Sequence, residues 1–176
     1  MSYQTTVSGW HDFYILAGTA SATLVGLLFV GLSLHLRVVV ASSEVRSLAR
    51  VTLANFGAVL FVTLFMVIPE GRSTAGIELI ASGAASLLII SPSLVTGLRS
   101  LGRTLQMQRR DRARLILRFG LSAASYLAII VAGAVLFSSL SAFTWLVVAI
   151  VVLLIVSLRN TWDLLVTVGD VTLGRD

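Results

Sequence analysis

Residues 119–158 read FGLSAASYLAIIVAGAVLFSSLSAFTWLVVAIVVLLIVSL, 40 residues without one charged side chain. As a single α-helix rising 1.5 Å per residue they would extend ~60 Å, about twice the hydrocarbon thickness of a bilayer. Two crossings fit that length and one does not. The reversal is expected at Ser138-Ser139-Leu140-Ser141, whose three hydroxyls can serve backbone groups freed where two helices end. Spans are therefore predicted over 119–137 and 142–158.

The same reading extends toward the N-terminus. Glu78 and Arg99 bracket an uncharged run over 79–98, Pro69 and Glu70 close another over 51–68, and Asp12 and Arg37 enclose a third over 13–36. About 20 apolar residues suffice for a crossing. Charged residues make up only 12% of the chain and apolar ones 57%, whereas a soluble domain carries about 25% charged residues to solvate its surface. The fold class is thus all-α, a polytopic transmembrane helical bundle of about five spans forming a single domain over 1–176. The first dozen residues carry no Arg or Lys, so the opening apolar run reads as a retained span and not a cleaved signal.

Orientation follows from the arginines, which supply all 13 basic residues. The loop after the first predicted span carries a net +2, the next −1, and residues 99–118 carry +6. Short Arg-rich loops stay in the cytoplasm, so the N-terminus is expected outside, the C-terminus inside, and the location a bacterial inner membrane. Trp10, Phe13, Tyr14 and Trp145 then fall at the outer interface and Trp162 at the inner one, where amphipathic rings are favoured. In the basic cytoplasmic loop, Arg103, Arg109, Arg110, Arg112 and Arg114 are candidates for binding anionic phospholipid headgroups, at about 1 kcal/mol each near a charged surface. Topology accounts for this charge without nucleic acid.

Chemistry is sparse. With no Cys and two His, thiol nucleophiles, disulfides and a buried metal site are not expected. HExxH, the phosphate-cradling GxxxxGK[ST] and GxSxG are all missing, and no cofactor or enzymatic activity is expected. In the first span Gly18, Ala22, Gly26 and Gly31 form a small-residue stripe on which another helix can settle closely, in the same chain or a second copy. Thr19, Thr23 and Leu27 occupy a neighbouring face that would line a pore in an oligomer. Asn55, one turn into the second span, needs a hydroxyl or carbonyl partner and is expected to fix helix packing. Pro92 interrupts the backbone ladder of the third span. Asp12, Glu70 and Glu78 would form a thin acidic rim outside.

The segment Trp10-His11-Asp12-Phe13-Tyr14, followed by Ala20-Ser21-Ala22-Thr23-Leu24-Val25-Gly26-Leu27-Leu28-Phe29-Val30-Gly31-Leu32-Ser33, resembles the opening of a family of small bacterial five-span membrane proteins. The closing Arg159-Asn160-Thr161-Trp162-Asp163-Leu164-Leu165 resembles that family's Asn-x-Trp-x-Leu-Leu segment. Such proteins are often described as modulators of the FtsH protease. The resemblance implies a helical membrane fold and supplies no catalytic residues. The functional expectation is a non-enzymatic accessory or regulatory membrane protein, a homo-oligomer or the companion of another membrane protein. The alternative is a homo-oligomeric ion channel lined by the first helix.

Overall fold

The computed structural model of the chain describes residues 3–68, 70–103 and 119–173, and every regular element among them is helical. In chain order these are α1 (Tyr3–Leu34), the short α2 (Leu36–Ala41), α3 (Ser43–Val67), α4 (Arg72–Arg103), α5 (Leu121–Leu136) and α6 (Ala142–Leu173). Four stretches are long and apolar enough to cross a membrane: Tyr3–Leu34, Val45–Val67, Arg72–Pro92 and Ala142–Gly169. Helices of this length and composition are consistent with a membrane protein. α5 is equally apolar but has 16 residues, or ~24 Å of helix.

The helices run beyond the uncharged blocks that define them. α1 starts at Tyr3 and not Phe13, and α6 continues through Arg159 and Asp163 to Leu173. Charge ends the oil-compatible part of a helix but not its hydrogen-bond ladder, which water tolerates. α3 likewise starts at Ser43, ahead of Arg46 and Arg50. Its start is set by Ser42, whose side chain accepts from the Val45 N–H at 3.3 Å, as an N-cap should. His35 separates α1 from α2, and its ring Nδ1 lies 3.2 Å from the Gly31 carbonyl.

Pro92 sits inside α4. Proline has no N–H to give the carbonyl four residues back, and here the Ser91 hydroxyl donates to that Leu88 carbonyl at 2.8 Å. At the other end of the bundle the α5–α6 connection turns over Phe137–Ser141. The Ser138 hydroxyl donates to the Val135 carbonyl at 3.1 Å, and Ser139 accepts from the Ser141 N–H at 3.2 Å. The same end holds the start of α4, where the Arg72 Nε donates to the Leu136 carbonyl at the C-terminus of α5. A cation there complements the helix dipole.

Packing makes a ring. α3 lies against α4 and α6, α4 against α5, and α5 against α6, so four helices close on themselves, with α1 laid along the outside of α3. α3 is the most enclosed, with 56% of its spanning window buried against 17% for α1. Phe56, Met66, Ile129, Leu146 and Leu153 are among the side chains that fill the interior.

The tightest approach is between α4 and α5. A Cβ on Gly133 would come within 2.8 Å of the Gly76 carbonyl, and one on Gly83 within 2.6 Å of Ile130. Glycine here removes the side chains that would hold two backbones apart, which favours helix association in lipid where the hydrophobic drive is absent.

Candidate functional site: a polar layer inside the ring

α3 and α5 face one another diagonally, and their link is polar. The Asn55 Nδ2 donates to the Ser122 hydroxyl at 3.0 Å, and its Oδ1 accepts from the Tyr126 hydroxyl at 2.5 Å. Asn55, Ser122 and Tyr126 are all fully buried. The asparagine amide thus uses a donor and an acceptor to tie α3 to two positions one turn apart on α5. A neutral polar side chain in this setting costs several kcal/mol unless paired, and these three pair with each other.

Further polar groups are buried on α3, α5 and α6. Thr52 is buried one turn before Asn55, and its hydroxyl donates to the Leu48 carbonyl at 2.9 Å. Ser125 does the same to Leu121 at 2.9 Å. On α6, Ser157 and Asn160 are buried as completely. The Ser157 Oγ and the Asn160 Nδ2 have no hydrogen-bond partner. On the outside of α3, the buried Ser21 of α1 donates to the Phe56 carbonyl at 2.6 Å, pinning α1 at the same height.

The residues singled out in the sequence fall in three places. Asn55 occupies the centre of the ring. Gly18 packs against α3, where an added Cβ would lie 2.7 Å from the Thr63 hydroxyl oxygen. The rest of the small-residue stripe makes no such contact: an added Cβ on Gly26 or Gly31 would meet nothing within 4 Å, and Ala22 is exposed. The intrachain use of the stripe therefore stops at Gly18, because α1 has a neighbour on one side only.

Thr19, Thr23 and Leu27 also lie on the uncovered side of α1. The Thr23 hydroxyl donates to the Thr19 carbonyl at 2.9 Å, so it needs no partner from outside its helix. Arg103 ends α4, while Arg109, Arg110, Arg112 and Arg114 lie outside the described residues. Tyr14, expected near the outer interface, is turned into the helical core, its hydroxyl buried and unpartnered.

Glu70 and Glu78 lie near one another beside Tyr3, each with a buried carboxylate oxygen that has no hydrogen-bond partner. Among the described residues no three His, Asp or Glu side chains converge as a metal site would require.

Ser21, Ser122, Tyr126, Ser157 and Asn160 escaped the reading of the sequence. Their only signal was position: polar side chains repeating at helical spacing within or just past an apolar run, as at Ser122 and Ser125 or Ser157 and Asn160. No family model, curated protein or solved structure matches the chain.

Proposed function

We propose that the chain is a non-enzymatic accessory or regulatory protein of a bacterial inner membrane. It crosses five times, with the N-terminus outside and the C-terminus inside, and works by pressing α1 against another membrane helix, foremost that of a second copy. The observation that supports this is the asymmetry of α1. Its Tyr14, Ala17, Ser21 and Leu28 face α3, whereas Leu16, Thr19, Thr23, Gly26 and Val30 have no covering element. That free face combines small residues with threonines, a composition that lets helix backbones approach in lipid. The five-span count takes α5 as a short crossing, and the orientation rests on the excess of arginine in residues 99–118. Anionic phospholipid headgroups are the ligands proposed for that basic segment.

A second reading draws on the same face: in a ring of copies, Thr19, Thr23 and Leu27 of each α1 would line an ion channel. The absence of cysteine makes one experiment serve both. Single cysteines replacing Thr23, Gly26, Leu88 and Ile155 are oxidised in native membranes. Leu88 and Ile155 are 73% and 62% exposed on other helices and serve as controls for random collision. The α1 variants should form disulfide-linked dimers well above the controls, and equal yields would refute the α1 contact. Ion flux into liposomes that falls in Thr23→Leu would favour the channel, and no flux in either protein would favour the accessory role.

A further inference from the structure

We propose that Ser157 and Asn160 hold an internal water molecule in the centre of the helical ring, completing the polar layer around Asn55. The turn at Ser139 makes α5 and α6 an antiparallel hairpin, and Ser122 and Ser157 stand at nearly equal separations before and after it. Leu153 packs in one core cluster with Val51 and Ala54 of α3, while Leu164 packs in another with Leu48 and Ala49. Along α6, Ser157 and Asn160 thus fall where its buried face passes from the first cluster to the second, as Thr52 and Asn55 lie on α3 among residues of both.

The behaviour of Ser157 sets it apart. The neighbouring helical hydroxyls of Thr52, Ser125 and Thr161 each donate to the carbonyl four residues back, Thr161 to that of Ser157 itself. The Ser157 hydroxyl makes no such bond although the residue is 0% exposed. Asn160, 2% exposed, leaves its amide nitrogen equally unpartnered. Residues three apart on a helix face place their Cβ atoms about 5–6 Å apart, a span that one water can bridge. Left unserved, each group would carry its full desolvation penalty.

Charge decides the identity of the occupant. Thr52, Asn55, Ser122, Ser125, Tyr126, Ser157 and Asn160 are neutral side chains, so the desolvation of a cation here would go uncompensated. Water both donates and accepts, and it needs only two to four polar partners. It serves Asn160 with either face of the amide presented.

Two measurements on the full chain in detergent or nanodiscs test the site. X-ray hydroxyl-radical footprinting of the unaltered protein labels side chains beside bound water. Leu153 should react well above equally buried Ile129 and Leu79, and equal labelling would overturn the proposal. In thermal unfolding, Ser157→Ala and Asn160→Leu should each lower the melting temperature by about 3 °C or more. The double variant should fall no further than the worse single one, because both groups share one water. A dry site predicts the reverse, with Asn160→Leu neutral or stabilising and the two effects additive.

Discussion

Replacing Asn55 by Leu keeps a branched side chain on α3 and removes both hydrogen bonds that cross the ring. Interhelical hydrogen bonds inside membranes contribute about 0.6 kcal/mol on average and rarely more than 1.7, so the two bonds give roughly 1–2 kcal/mol. The variant also leaves the Tyr126 hydroxyl buried without its acceptor, adding up to ~1–3 kcal/mol less whatever relaxation recovers. A total near 2–3 kcal/mol is expected. At about 2–4 °C per kcal/mol for a chain of this size, the melting temperature in detergent should drop by roughly 4–12 °C. Tyr126→Phe keeps the ring and should cost only about 1 kcal/mol. Combining Asn55→Leu with Ser122→Ala and Tyr126→Phe should regain part of the loss, since replacing all partners with apolar groups removes the orphans. An Asn55→Leu protein that melts at or above the unaltered temperature would refute the reasoning.

Three further outcomes follow from particular contacts. Gly133→Ala should destabilise by about 1–3 kcal/mol through overpacking against Gly76 and Ile80, whereas Gly26→Ala should be neutral or up to about 1 kcal/mol stabilising from helix propensity; both are read by thermal unfolding. Ser42→Ala should cost about 1 kcal/mol by removing the cap of α3, and hydrogen exchange should show faster opening confined to the first turn, at Val45 and Arg46. A fluorescent reporter that matures only in the cytoplasm, fused after Asp176, should light up, and a dark fusion of normal abundance would overturn the proposed orientation.

The helices were legible because a bilayer demands long uncharged runs, and charges mark where those runs stop. Their true ends were not, since Tyr3 to Asp12 and Ser43 to Arg50 can be helical in water or headgroups as readily as irregular. Inside from outside was harder still. In a soluble bundle, polar residues mark the solvent face of each helix, but lipid accepts the same residues as the core does.

Gly26 and Gly133 illustrate this. Both sit among apolar neighbours, yet Gly133 is pressed against a backbone while Gly26 meets nothing. Asn55 announced itself as a residue needing a partner. The identity of Ser122 and Tyr126, 67 and 71 positions away, depended on the closure of the ring, which no local pattern encodes. Ser21 was hidden for another reason. A serine in a helix ordinarily satisfies itself, and only the proximity of α3 diverts its hydroxyl to Phe56.

The diagonal tie also has a consequence for biogenesis. Asn55 emerges from the ribosome well before Ser122, and at ~5–20 residues per second the interval is roughly 3–13 s. Throughout it, α1 and the first half of α3 are already made while the groups that will satisfy the amide are not. Until the final hairpin inserts, the nascent protein is a half-assembled intermediate with a bare carboxamide facing lipid, the insertion machinery or a chaperone. A ribosome stalled in the arginine-rich segment would leave it in that condition.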